Sequence, residues 1–107
     1  MQPFIHLHVH SQYSVLDGQA SVKALVDKAI ANGMRGIALT DHGNMYGVVE
    51  FYKTAKANDI NPVIGCEVYV APNSRFDRET SHGDDRYYHL ILLAENNTGY
   101  ALSLIHI

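Results

Sequence analysis

Cysteine is almost missing from this sequence. The single residue, Cys66, excludes an internal disulfide. It fits a reducing cytosol, so a cytoplasmic location is expected. The lone thiol also argues against a cysteine-built zinc finger. Long apolar runs are missing too. None approaches the roughly 18 residues of a membrane-spanning helix, so no membrane partner is expected. No basic segment followed by an apolar stretch opens the chain, and no signal peptide is expected. Charge of one sign is also scarce. The net charge is −3 with histidine neutral, which leaves no basic footprint for nucleic acid. If the function involves DNA, this segment is not the main electrostatic grip. At 107 residues there is room for one small domain at most.

Histidine is what the sequence has in excess, with seven residues. Three of them fall at alternate positions in Phe4-Ile5-His6-Leu7-His8-Val9-His10. In a strand, alternate side chains share a face, so the imidazoles would line one side and apolar residues the other. Neutral imidazole is the commonest protein metal ligand. Two histidines at i and i+2 can reach one ion, or two adjacent ions, without bending the backbone.

The rest of the chain alternates short apolar runs with helical spacing. Residues 4–10 read as a first strand. Ser21 is a plausible N-cap, and Val22, Leu25, Val26, Ala29 and Ile30 form one apolar helical face. Gly33 supplies a left-handed C′ position. Residues 36–40 make a short strand buried on both faces. Asn44 is positioned to cap a second helix whose inner face is Val48, Phe51, Tyr52 and Ala55, ending near Asn58-Asp59. A third strand spans residues 63–70. Residues 72–86 form a polar loop whose arginines and acidic residues make a solvated face. A fourth strand spans residues 87–94. Helices between apolar strands argue for α/β architecture with parallel pairing.

The acidic and histidine residues fall where an α/β fold gathers ligands, at the carboxyl ends of parallel strands. His8 and His10 end the first strand, Asp41 and His42 follow the second, and Glu67 lies late in the third. Asp17 lies in the loop after the first strand, and His89 sits in the fourth. Together they form a donor set for zinc, manganese or iron. With Asp41 set aside as an orienting residue, six candidate ligands suggest more than one ion. Clustered metals suit phosphate-ester hydrolysis, one ion generating hydroxide and another stabilising the leaving oxygen. Glu67 inside an apolar strand would cost several kcal/mol without a cationic partner. Asp41 is expected behind the ligands as an orienting acceptor, and His6 as a buried hydrogen-bonding residue. Cys66 faces the helices as a small core residue. His82 and His106 are bystanders. His89 comes too early in its strand to share a site with Glu67 unless the chain turns back, so the fourth strand is expected to run opposite to the third.

His8-Val9-His10, Thr40-Asp41-His42-Gly43-Asn44, Gly65-Cys66-Glu67 and Tyr88-His89-Leu90 resemble the PHP (polymerase and histidinol phosphatase) domain. More closely, the stretches HLHVHSQYSVLDG, GIALTDHGNMYGVVEFY, NPVIGCEVYVAP and YYHLILLAENNTGY resemble the PHP domain that opens the alpha subunits of bacterial replicative polymerases, the polymerase III family. The resemblance runs from about Phe4 to Tyr100. It implies the first part of a distorted seven-stranded (β/α) barrel, here with about four strands and two main helices, holding up to three divalent ions. By position, His8, His10, Asp17, His42, Glu67 and His89 would be the ligands. His10, His42 and Glu67 would be the residues on which catalysis depends. The family's other ligands, a cysteine and an Asp-x-His pair, have no counterpart within 107 residues, nor does a polymerase palm. The expected organisation is a partial PHP domain over 1–100 and an atypical tail over 101–107, similar to a translated adapter sequence. The implied function is a candidate 3′–5′ exonuclease site within a DNA-directed DNA polymerase, with DNA and replicative polymerase subunits as partners. Two other readings stand beside it: a free-standing PHP phosphatase for a small phosphate ester, and a non-catalytic scaffold.

Overall fold

The computed structural model describes residues 3–76 and 87–106. Their elements run α1 (Val22–Ala31), β1 (Gly36–Leu39), α2 (Val48–Ala57), β2 (Asn61–Val70), β3 (Tyr88–Leu93) and α3 (Asn97–His106). The three strands form one sheet in the order β1-β2-β3. β1 and β2 are parallel, and α2 between them supplies the crossover that a parallel partner needs. β2 and β3 are antiparallel neighbours, with Tyr69 opposite His89 and Glu67 opposite Ile91. The expected reversal of the last strand is therefore present.

The helices form for reasons visible in their ends. Ser21 is extended and its hydroxyl accepts from the Ala24 amide, so α1 begins with a satisfied donor. Gly33 follows α1 with φ +69°, a conformation that a side chain would strain. The core lies between the helices and β1, where Val22, Val26 and Ala29 meet Ile37, Leu39, Phe51, Ala55 and Ile60. Phe51, Val22 and Val26 are fully buried, which makes truncation of any of them costly. Among the described residues no helix is long and apolar enough to cross a membrane.

Several expectations are corrected. Residues 4–10 do not form a strand. The Ala38 amide donates to the His6 carbonyl and the Thr40 amide to the Val9 carbonyl, so the segment does run beside β1. However, it bends at Leu7 and His8. The Val9 amide donates to the Thr40 hydroxyl instead of a backbone carbonyl, which interrupts the ladder. Asn44 does not cap α2; its side chain accepts from the Tyr46 amide in the preceding turn, and α2 starts at Gly47 without a side-chain cap. Tyr52 is half exposed, not part of the inner face. A third helix, α3, passes through 97–106 with Asn96 accepting from the Gly99 amide. The described residues thus hold three strands and three helices, not four and two. The later part of the 72–86 loop, with Asp77, Arg78, Glu79, His82, Asp84, Asp85 and Arg86, lies outside the described residues. So does the side chain of His106.

Candidate metal centre

The site is assembled where the parallel pairing of β1 and β2 runs out. Beyond Leu39 the two chains stay together. The Glu67 amide donates to the Asp41 carbonyl at 3.0 Å, and the Gly43 amide to the Glu67 carbonyl at 2.9 Å. An isolated parallel bridge pairs His42 with Glu67. Backbone hydrogen bonds therefore fix a histidine beside a carboxylate before any side chain is considered. Gly43 takes φ +59° to let the chain leave the bridge.

Glu67 is the hub. Its side chain is 5% exposed, and its Oε2 lies 2.6 Å from His10 Nε2, 3.1 Å from His8 Nε2 and 3.4 Å from His42 Nδ1. Its Oε1 lies 2.8 Å from His89 Nδ1. The other ring nitrogen of His42, Nε2, lies 2.7 Å from Asp17 Oδ2. The rings of His10 and His42 stack with centroids 4.1 Å apart. Burial pushes the Glu67 carboxyl up, but the hydrogen bond from His8 and the charges of His42, His10 and His8 outweigh it, leaving the group below its ordinary range.

A second carboxylate organises the loop beneath. Asp41 is 1% exposed. Its Oδ1 accepts from the Ser11 amide at 2.6 Å and the Ser14 hydroxyl at 2.8 Å, and its Oδ2 accepts from the Ser11 hydroxyl at 2.8 Å. The Ser14 oxygen also meets His10 Nδ1 at 2.8 Å and accepts from the His42 amide at 3.0 Å. Because the one Ser14 proton goes to Asp41, His10 Nδ1 must be the donor to Ser14. A neutral His10 therefore carries its lone pair on Nε2, the nitrogen that faces Glu67. Gly18 closes the same loop; a Cβ there would overlap the Ser11 carbonyl. Asp41 thus orients His10 through Ser14 and does not touch a candidate ligand with its own carboxylate.

The donor set fits divalent cations on three counts. Two groups, His8–His10–Glu67 and His42–Glu67–His89, each bring one ligand atom per residue within 4.8 Å of the others. The Nε2 atoms of His8 and His10 face each other at 3.1 Å, a contact that two lone pairs cannot make unless a proton or cation lies between them. His42 Nδ1 is buried with no hydrogen-bond partner among the described residues, although it is aimed toward Glu67. Buried polar atoms of this kind call for an explanation, and a shared ion supplies one.

Of the residues singled out from sequence, His8, His10, His42, Glu67 and His89 are brought together, with Asp17 attached through His42. His6 is not. It is exposed and packs edge-on against Phe4 at 4.7 Å, because the bend at 7–8 breaks the alternation that would have kept it in phase. Cys66 is buried as expected, and burial pushes its thiol up. Ser11 and Ser14 were not singled out. Their only sequence signal is two hydroxyls placed one and four residues after His10.

The PHP domain family matches residues 6–107. Over 97 residues the chain is 57% identical to the DNA polymerase III subunit alpha of Treponema pallidum, a match that covers 91% of this chain and 8% of that protein. An amidohydrolase from Chromobacterium violaceum, solved with bound sulfate and no metal, superposes with a TM-score of 0.66 at 25% identity, over 94% of this chain and 32% of that one. A protein from Bifidobacterium adolescentis assigned as a metal-dependent phosphoesterase superposes with a TM-score of 0.60 at 19% identity, over 94% of this chain and 31% of that one. The mixed α/β architecture expected from the sequence is borne out.

Proposed function

The chain belongs to the PHP domain family, and from that premise we propose that its histidine–carboxylate cluster is a multinuclear phosphodiesterase centre in the alpha subunit of a replicative DNA polymerase, hydrolysing DNA in the 3′–5′ direction. The observation that carries this reading is Glu67, one buried carboxylate shared by two histidine pairs. A carboxylate between two imidazole pairs would be able to serve two cations at once, as multinuclear hydrolysis requires.

His8, His10 and Glu67 would hold one ion, and His42, Glu67 and His89 a second; Asp17 stands on the other ring nitrogen of His42, Nε2, where it would orient the ring so that Nδ1 faces the ion. Imidazole and carboxylate donors favour zinc or manganese. When bound, such ions supply Lewis acidity toward phosphoryl oxygens and lower the pKa of a water molecule. The chain's own residues prepare for this. Ser14 fixes the tautomer of His10, and the bridge at His42 fixes its ring beside Glu67. His8 and His89 have side chains 55% and 46% exposed, so the cluster reaches the surface of the described residues at both.

In this reading the PHP unit spans 1–100, and DNA and the other polymerase subunits are reached through the remainder of the polymerase, in the cytoplasm. The test is a full-length polymerase that carries this segment. It is expected to hydrolyse a primer from its 3′ end with zinc or manganese, to lose that activity in His10→Ala, and to keep nucleotide incorporation. Hydrolysis at the parental rate in His10→Ala refutes the assignment.

A further inference from the structure

The face of the sheet that carries Glu67 continues outward into aromatic rings. Side chains two apart on a strand share a face, so Tyr69 stands beside Glu67 on β2. The antiparallel register sets His89 opposite Tyr69, and Tyr87 lies two residues before His89 on the same side. The centroids of Tyr69 and Tyr87 are 4.5 Å apart at 71°, and each ring lies 5.4 Å from that of His89. Tyr69 is also nearly parallel to His42, at 6.3 Å and 11°. The edge of Tyr69 rests over Gly43, where a Cβ would come within 3.7 Å of the ring. Tyr69 and Tyr87 are 51% and 52% exposed. Two half-exposed aromatic rings held edge-to-face at the lip of a phosphate-directed site are suited to receive a planar group.

We propose that Tyr69 and Tyr87 form a stacking platform for the base of the terminal nucleotide whose phosphodiester is presented to the Glu67 cluster. This rests on the phosphodiesterase reading above and extends it to the substrate: a single-stranded nucleic-acid end, not a small phosphate ester. The charge of the chain supports it. With a net charge of −3, the chain offers no general excess of positive charge with which to grip a strand's backbone. Stacking needs no positive surface and accepts every base, which is what an end-trimming site requires.

The experiment is a binding measurement on the full chain in manganese, by calorimetry. The probes are a thymidine pentanucleotide, the same strand with an abasic 3′-terminal residue, and thymidine monophosphate. Stacking of one base is worth roughly five- to 150-fold in affinity. The intact strand should therefore bind at least about fivefold more tightly than the abasic one. Tyr69→Ala should erase that difference while leaving the abasic strand's affinity unchanged, and Tyr69→Phe should retain it. Tyr87→Ala gives an independent second reading of the same loss. Equal affinity for the two strands, with both dependent on manganese, overturns the platform and leaves the metal centre standing. Thymidine monophosphate binding as tightly as the pentanucleotide overturns the strand end as the occupant. Failure of every probe to bind in manganese overturns the phosphodiesterase reading and the platform with it.

Discussion

Two buried carboxylates lie on adjacent segments of this chain, and their surroundings differ. Asp41, 1% exposed, is met by one amide and two hydroxyls, all neutral donors with protons to give. Glu67, 4% exposed, is met by four imidazoles and by no hydroxyl or amide donor to its side chain among the described residues. The first is satisfied by the chain itself. The second is satisfied only if several ring nitrogens carry protons together or if a cation lies among them. Burial alone therefore does not mark a functional carboxylate; the kind of partner does. Asp41 builds the loop that delivers His10, and Glu67 is what the loop is delivered to.

The sharpest way to break this comparison is to remove Asp41. Asp41→Ala leaves the Ser11 amide and two hydroxyls without their acceptor in a buried place. Hydrogen bonds to charged groups are worth about 1.5–3 kcal/mol each and do not add fully. A loss of about 3–5 kcal/mol in urea unfolding is expected. It should be present in full in chelator, because no cation enters the Asp41 network, and be larger in manganese only by the affinity lost through Ser14 and His10, about 10–100-fold. A loss confined to the metal-loaded protein would show that Asp41 belongs to the same unit as Glu67.

Glu67 should behave in the opposite way. Saturating metal at a hundred times its dissociation constant stabilises a folded protein by about 2.7 kcal/mol. The parental chain should gain about that much in zinc or manganese, and Glu67→Gln should lose most of the gain. Without metal the variant should unfold within about 1 kcal/mol of the parent, since the amide keeps the shape and removes a charge that needs compensation. Unfolding curves of the two proteins, each with and without metal, give the four numbers required. An equal metal-induced gain in Glu67→Gln would remove Glu67 from the centre.

Much of this contrast could be read from residues alone, and the part that could not has a physical reason. The α1 helix was legible because its apolar spacing, Ser21 and Gly33 agree. Glu67 was legible because a carboxylate in an apolar strand has few other uses, and the reversal of β3 followed from the early place of His89. The Asp41 network was only half legible. Ser11 and Ser14 meet Asp41 across 30 and 27 residues of chain, and no local pattern reports a contact made by tertiary approach. The same holds for the opening segment. Alternation in 4–10 was real, but the segment bends at Leu7 and His8, the Val9 amide goes to the Thr40 hydroxyl, and His6 is left exposed. Asn44 carried a capping signal that was used in the turn before α2 and not at its start.

The smallest expected effect is the most discriminating, because it acts on the one side chain common to both centres. Ser14 donates to Asp41, and it accepts from the His42 amide and His10 Nδ1. Ser14→Ala removes one of the three donors to Asp41, so the stability loss without metal should be about 1–2 kcal/mol, a fraction of that for Asp41→Ala. It also frees His10 to take the other tautomer or to turn its ring. Removing a partner that orients a metal-binding imidazole typically weakens metal affinity by about 10–100-fold. Ser14→Ala should therefore shift the metal titration by about tenfold, whereas Ser11→Ala, which touches Asp41 and no imidazole, should lose similar stability with metal affinity unchanged. Calorimetric titration of the two serine variants side by side checks this. Equal metal affinity in both would mean that His10 is held by its packing on His42 alone, and that the two carboxylate centres are neighbours without being coupled.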